Sequence, residues 1–212
     1  YMLFILNDFG VPSVAPFVLL TGTPGPPTTV TTTTNTLPTT TSTSRTTTST
    51  TTTSTTTTVP PPLVLEVRVS SAGDDAQEAV PTGKVSLGTS HIDFAYYTSA
   101  KASQVVGVRF AKVTVPFFAT IVKAYVQFTA SSATTLPVNL RIEGQAADRA
   151  AKFTGVARNV SSRSRTTAFA PWAPLAWKTS MSGPDQRTPD LTAIVQEIVD
   201  RPGWANGNAL AF

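Results

Sequence analysis

A tract rich in threonine and serine divides this chain and limits what it can fold into. From Thr28 to Thr58, 26 of 31 residues are Thr or Ser, and prolines bracket the tract within residues 24–27 and 60–62. Such a segment has almost no apolar surface to bury, so it cannot offset the entropy that is lost when its backbone is ordered. We therefore expect no folded core in the tract.

Two interpretations of the tract stay open. β-Branched Thr near prolines favours extended backbone, and Ser/Thr-rich stretches with Pro are typical of O-glycosylated stalks. At the rise of a polyproline helix, this tract would span on the order of 95 Å. The alternative is a bare, flexible linker. The first interpretation predicts covalent glycans on the threonines of the tract, represented by Thr31, Thr32, Thr40, Thr47, Thr52 and Thr56.

The tract separates two parts of different composition. Residues 1–23 form an apolar N-terminal segment, residues 24–62 form the stalk, and residues 63–212 form one domain that is long enough for a single core. The chain has no cysteine, which excludes disulfides, thiol catalysis and thiolate metal sites. Its net charge of +4 comes without Lys/Arg clusters, so we expect no nucleic-acid partner.

The N-terminal segment is apolar but does not read as a transmembrane helix. Asn7 and Asp8 lie within it, and Gly10, Pro12 and Pro16 interrupt helical backbone. The pattern predicts instead two short strands, at 2–6 and 15–20. Two such strands are not stable alone, so they need a partner sheet.

The domain alternates apolar and polar residues with a period of two. Leu63, Leu65, Val67 and Val69 share one face of the first run, and further runs lie at 105–115, 121–130 and 138–143. In the run at 121–130, the predicted buried face consists of Val122, Ala124, Val126 and Phe128. Regularly spaced strands with one buried face predict an all-β fold, a jelly-roll-like antiparallel β-sandwich.

One segment has helical spacing instead. Leu191, Ile194, Val195 and Ile198 follow Thr188 and Pro189, which suit the N-cap and first position of a short helix. The Arg-Pro-Gly sequence at 201–203 ends it, and a last strand is predicted at 208–212.

Three stretches carry a resemblance to a known family. They are VVGVRFAKVTVPFFATIVKAYVQFTA, WAPLAW and TPDLTAIVQEIVDRPGWANGNALAF, and they contain a strand ending in R-F, a V-P-x-x-A-x-I turn and a helix leading into W-x-x-G-N-A-L. Over Val67 to Phe212 the chain resembles secreted bacterial β-sandwich modules of the DNRLRE type, related to carbohydrate-binding jelly rolls. Phe117 and Phe118 stand where that family has a polar residue and Gly, so we expect this turn to be buried.

The resemblance implies further strands after Phe212, the last of them similar to A-P-x-L. Ala15, Pro16, Phe17, Val18, Leu19 and Leu20, before the stalk, resemble that closing strand. One interpretation is that a neighbouring copy donates this strand to an open sandwich, which builds an extracellular filament of identical subunits. The other is that the sequence covers one register of a longer tandem-repeat protein, which is again extracellular and fibrous.

Few residues suggest chemistry. The acidic run at 74–78 offers Asp74, Asp75 and Glu78 as oxygen ligands for Ca²⁺, against the alternative of a solvated loop; no other cofactor is expected. Trp172 and Trp177 either stack on a polysaccharide or plug the sandwich rim. His91 has no recognisable catalytic partners, and the basic patch of Arg158, Arg163 and Arg165 reads as a solvated loop.

The sequence thus predicts a non-enzymatic protein of the cell surface. Its partners are other copies of itself and covalent glycans, and its function is structural. The competing function class is a carbohydrate-binding or adhesive module of a larger secreted protein.

Overall fold

The computed structural model of this chain describes residues 2–4, 64–94, 96–97, 102–134 and 137–212. The chain divides into two units, Tyr1–Thr23 with Pro61–Phe212 and, separately, Pro24–Pro60. The second unit lies outside the described residues, and with it all six threonines predicted to carry glycans. The predicted donor strand at 15–20 also lies outside them.

Short strands dominate the described residues, with one α-helix near the C-terminus. No helix among them is long and apolar enough to cross a bilayer. The elements in chain order are β1 (Met2–Phe4), β2 (Glu66–Arg68), β3 (Asp75–Ala79), β4 (Val85–Leu87), β5 (Tyr96–Tyr97), β6 (Ala102–Phe110), β7 (Tyr125–Gln127), β8 (Leu140–Gln145), β9 (Arg165–Trp172), α1 (Thr192–Val199) and β10 (Leu210–Ala211).

All strand pairs among these elements are antiparallel. One sheet has the order β2-β1-β7, a second has the order β10-β6-β3-β4 with β5 also on β6, and β8 pairs with β9 in a third. The prediction of an all-β fold with one short helix is therefore confirmed.

The main core lies between the helix and the strands. Ile194, Val195 and Ile198 on one face of α1 are buried together with Phe110 and Leu210, and a smaller cluster surrounds Phe153. Burying a side chain of this kind stabilises the fold by about 1.5–3 kcal/mol. An eight-residue helix is not stable alone, so α1 is held in place by this packing.

Two of the predicted alternations are confirmed. Leu65, Val67 and Val69 pack against the core, as do Leu140 and Ile142 of β8, whereas Arg141 between them is exposed. In both strands the apolar face is the one that the period of two assigned to the interior.

The prediction for the run at 121–130 is wrong in two respects. The strand covers only Tyr125–Gln127, and all three of its residues are buried, whereas Val122 is 52% exposed. The reason is that a second segment covers the face expected to be polar. Arg187 lies over the Tyr125 ring at 4.9 Å, and its Nε donates to the Gln127 side-chain oxygen at 2.8 Å.

The predicted helix exists but begins later than its sequence signals. Thr188 is not its N-cap, because the Thr188 hydroxyl accepts a hydrogen bond from the Val126 N–H at 3.0 Å and its own N–H donates to the Val126 carbonyl. α1 begins at Thr192, whose N–H donates to the Asp190 carboxylate at 2.9 Å. The Thr-Pro-Asp sequence thus joins β7 to the helix rather than opening the helix.

The expectation that the turn at Phe117 and Phe118 is buried is also wrong. Their side chains are 40% and 68% exposed, and their ring centroids are 3.9 Å apart. Phe118 has a φ of 56°, a left-handed conformation that favours glycine and points this bulky side chain out of the turn. The neighbouring Ala119 and Ile121 are buried in its place.

Candidate strand-accepting groove

A cavity of about 720 Å³ lies between β6 and β8, and we call it the acceptor groove. Residues of β6 and β8 form its two walls, and residues of β7 and β9 contribute Val126 and Trp172. Phe212, the residue after β10, also lines it. The groove therefore runs beside the middle of β6.

Alternate residues of β6 direct their backbone N–H and C=O groups toward β3 and toward the groove. The Arg109 N–H donates to the Asp74 carbonyl beside β3, whereas Val108 and Phe212 exchange hydrogen bonds of 2.9 and 2.8 Å on the other side. Because peptide groups alternate along a strand, the N–H and C=O of Val106 point to the same side as those of Val108.

This side of β6 is only partly paired by the described strands. β5 pairs with Ala102 and Ser103 at one end, and β10 with Phe212 pairs with Val108 to Phe110 at the other. Between them, no strand in the described ranges pairs with Gln104 to Val106 on this side. Within the described ranges, the groove therefore borders strand backbone at Gln104 and Val106 that no other strand pairs with, and such backbone is a template for an added strand.

The opposite wall also ends in a strand edge. Among the described residues β8 pairs only with β9, so its second edge borders the groove. The outer side of β9 is protected instead. Glu197 of α1 accepts hydrogen bonds of 2.8 Å from the N–H groups of Thr167 and Ala168, and Pro171 has no N–H to offer. Among the described residues, the fold thus covers one edge of this pair, and no strand pairs with the groove edge.

The lining suits an apolar, uncharged occupant. Val106, Leu140 and Ile142 present partly buried apolar side chains from the two walls. The charged lining residues are already paired, since Glu143 accepts from Arg141 at 2.8 Å and lies 3.3 Å from Arg165. Unpaired backbone beside apolar side chains is the combination by which a sheet edge accepts an extended peptide.

The structure places Trp172 and Trp177 in one aromatic cluster with Phe94 and Phe128. Ring centroids within the cluster are 4.9–6.4 Å apart, and each indole is only 8% exposed. The Trp177 Nε1–H donates to the Asp185 carbonyl at 3.2 Å. This arrangement agrees with the packing interpretation, and sugar stacking by these residues stays a prediction.

A second cavity, of about 460 Å³, opens on the other side of the aromatic cluster. Phe94, Phe128 and Trp177 line it together with polar residues of two loops at 90–93 and 129–134. His91 contacts Ser90 at 3.1 Å, but its Nε2 is 3.8 Å from Asp93, beyond a hydrogen bond. These contacts lie on an exposed loop and do not form the geometry of a catalytic triad.

The acidic run is not a solvated loop, so that interpretation is wrong. Residues Asp75–Ala79 form β3, and Asp74, Asp75 and Glu78 are all buried. Burial is possible because each carboxylate has its own partners. Glu78 accepts from the N–H groups of Val160 and Ser161 at 2.9 and 3.0 Å.

The predicted Ca²⁺ ligands therefore do not share one set of contacts. In the described part of the chain, no group of three or more His, Cys, Asp or Glu side chains is placed to hold a metal ion. Burial raises the pKa of Asp75. The Ca²⁺ site stays a prediction without support from this geometry.

Asp74 forms a buried ion pair with Arg109 of β6. The pair joins the two strands, and the Arg109 Nε also donates to the Ala150 carbonyl at 2.8 Å. Burial acts to raise the pKa of Asp74, but hydrogen bonds from Ser71 and Arg109 and the Arg109 charge lower it below its ordinary value. Asp74 is therefore held ionised, and its side chain fastens the β3–β6 pair.

The predicted basic patch is largely engaged with the protein itself. Arg163 lies over the Phe153 ring at 4.2 Å and donates to the carbonyls of Asn159, Ala151 and Lys152 at 2.7–2.8 Å. Burial, followed by the nearby Arg109 charge, lowers the pKa of Arg163. Interpreting this patch as a solvated loop is thus wrong for Arg163, while Arg158 is exposed.

Comparisons of this chain with known protein families, with curated proteins and with solved structures found no match.

Proposed function

We propose that this chain is the structural subunit of an extracellular filament at a cell surface. In this proposal the domain is a jelly-roll-like antiparallel β-sandwich, the Thr/Ser tract is an O-glycosylated stalk, and a strand N-terminal to the stalk enters the domain of a neighbouring copy. The resemblance to DNRLRE-type modules supports secretion and the sandwich, and it implies no catalytic activity.

The observation that carries the proposal is the acceptor groove. Among the described residues, no strand pairs with the groove side of Gln104 and Val106, which lie between two paired ends of the same edge, and apolar side chains line both walls. Such an edge invites uncontrolled pairing unless a strand covers it. We assign that role to residues 15–20.

The sequence APFVLL suits this groove. It carries no charge, so it places no unpaired ion beside the internally paired Glu143. Successive side chains of a strand point to opposite faces, so Val18, Leu19 and Leu20 place apolar side chains on both faces of the donated strand. Pro16 lacks an N–H and therefore belongs near the first position of the strand.

Strand donation leads to a filament because donor and acceptor are different surfaces. A contact of this heterologous kind repeats from copy to copy and does not close a dimer. The stalk, near 95 Å if extended, then lies between the strand that one copy donates and the domain that belongs to that copy.

The test is negative-stain microscopy of the purified chain at rising concentration, beside a variant that lacks residues 1–20. We expect unbranched filaments from the full chain and single domains from the shortened one. Filaments of unchanged appearance from the shortened chain would contradict strand donation. An intact mass equal to that of the bare sequence in protein from its native source would contradict the glycosylated stalk.

A carbohydrate-binding module is the second candidate function. The observation in its favour is the second cavity, which combines the aromatic wall of Phe94, Phe128 and Trp177 with hydroxyl-bearing loops. Polysaccharide that retards the chain in an affinity gel, with retardation lost in Trp177→Phe and kept in Trp204→Phe, would favour it. Trp204 is the matched control because it is buried elsewhere, with its Nε1–H on the Val115 carbonyl at 2.9 Å.

A further inference from the structure

The N-terminal strand β1 lies between two strands that follow it far along the chain. It pairs antiparallel with β2 on one side and with β7 on the other, and Leu3 is the Cα partner of both Val67 and Val126. Among the described residues β1 is the only strand that pairs with β2. We call the space between β2 and β7 the β1 slot.

The covalent connection does not determine which copy fills the slot. About 60 residues separate Phe4 from Glu66, and fully extended they reach on the order of 200 Å. A domain of this length has a radius of gyration of about 15 Å, so the connection reaches well beyond its own domain. Every copy has the same strand and the same slot, so the strand that fits one copy fits any other.

We propose that β1 is an exchangeable strand, and that in the assembled protein each β1 slot holds Met2–Phe4 of a second copy. This inference rests on the proposed filament function and adds a second donated strand to it. The N-terminal segment then moves as a whole, so that one donor supplies β1 to the slot and residues 15–20 to the acceptor groove. Ten residues lie between Phe4 and Ala15, so the eleven residue steps that join them reach about 36 Å when extended.

Exchange leaves the strand pairing itself unchanged. The protein concentration and the stiffness of the connection therefore decide whether a slot holds the strand of its own chain or that of another copy. A flexible connection supplies a high effective concentration of the chain's own strand, whereas a stiff connection that cannot fold back supplies almost none. Glycans that extend the Thr/Ser tract therefore favour exchange between copies. The bare chain at low concentration fills its own slot, and the fraction of exchanged strands rises with protein concentration.

Engineered disulfides can distinguish the two arrangements, because the native sequence has no cysteine. Antiparallel Cα partners lie about 4.5–5.5 Å apart, within the span of a disulfide. The test uses Leu3→Cys with Val126→Cys in one chain and, because Val126 is fully buried, also Leu3→Cys with the less buried Val67→Cys. Leu3→Cys with Ser86→Cys, at the exposed middle position of β4, is the matched control pair.

Oxidised filaments are then dissolved in denaturant without reductant and separated by mass. We expect a ladder of covalent oligomers from both test pairs and none from the control pair. Chains that carry only Leu3→Cys, co-assembled with chains that carry only Val126→Cys, should give covalent dimers. Filaments in which the bond lies within single chains, or does not form, overturn the exchange of β1 but leave donation of residues 15–20 standing. Failure of the unmodified chain to form filaments overturns the proposed function itself.

Discussion

Replacing Val106 by proline is expected to abolish filament assembly while the domain stays folded. The Val106 N–H points into the acceptor groove, where no described residue accepts it, so proline removes no hydrogen bond that the described fold uses. An incoming strand, by contrast, loses a donor and meets the proline ring at the centre of the edge. We expect the critical concentration for assembly to rise at least about 100-fold, or about 2.8 kcal/mol.

Val105→Pro is the matched control for this variant. Val105 is the neighbouring residue in the same strand, but it pairs with Glu78 of β3, and proline there removes a hydrogen bond within the sheet. Circular dichroism should show that Val106→Pro melts close to the unmodified chain and that Val105→Pro does not. If Val106→Pro assembles at unchanged concentration, the groove is not the site of strand addition.

Replacing Arg109 by methionine is expected to cost about 3–5 kcal/mol of the free energy of unfolding, which is about 6–20 °C in melting temperature for a chain of this size. The substitution leaves Asp74, which is only 1% exposed, as a buried carboxylate without its cation. It also leaves the Ala150 carbonyl without the Arg109 Nε–H. Chemical unfolding in urea measures the change.

Two further variants test whether the loss comes from the unpaired charge. Arg68→Met removes a cation from an exposed pair, 2.9 Å from Glu66, and should cost less than about 1 kcal/mol. Adding Asp74→Leu to Arg109→Met should recover much of the loss, because the buried charge is then gone. A loss in Arg109→Met no larger than that in Arg68→Met would contradict this role for the buried pair.

The pair also predicts a dependence on pH. The pKa of Asp74 is lowered in the folded protein, so its ionisation stabilises the fold above the ordinary pKa of an aspartate, about 3.9. That contribution is lost as the pH falls through the folded pKa. The difference in stability between the unmodified chain and Asp74→Asn should therefore be large at pH 7 and shrink as the pH falls below about 4.

The sequence predicts the fold best where burial follows a period of two. Leu65, Val67, Leu140 and Ile142 face the core as expected, because one face of each strand is buried and the other is not. The pattern fails at β7, where Tyr125 and Gln127 belong to the face expected to be polar. Both are buried because Arg187 covers them, and nothing near residue 125 in the sequence indicates a segment 60 residues away.

The buried polar residues explain why β3 was missed. Asp75 to Ala79 read as a charged loop, and the partners that permit burial lie far along the chain, at Arg109, Val160 and Ser161. β9 was missed for a related reason, since Arg165 and two threonines open it and Pro171 lies near its end. Its outer edge is closed by Glu197, a residue whose helical position gives no sign of that role.

From the likeness of residues 15–20 to a closing strand, the sequence predicted that an open sandwich accepts a strand, but it did not predict where the acceptor groove lies. Its position depends on which stretch of β6 the strands β5 and β10 leave unpaired, and that follows from the register of pairs between distant segments. The sequence around lining residues such as Val106 and Ile142 does not distinguish them from other core residues.

A cryo-electron microscopy reconstruction of assembled filaments tests the central claim most directly. We expect a strand beside β6 at Gln104 to Val106, continuous through its connection with the domain of an adjacent subunit and carrying the side-chain sequence of residues 15–20. A groove that is empty, or that is filled by a strand of the same chain in every subunit, would contradict the account.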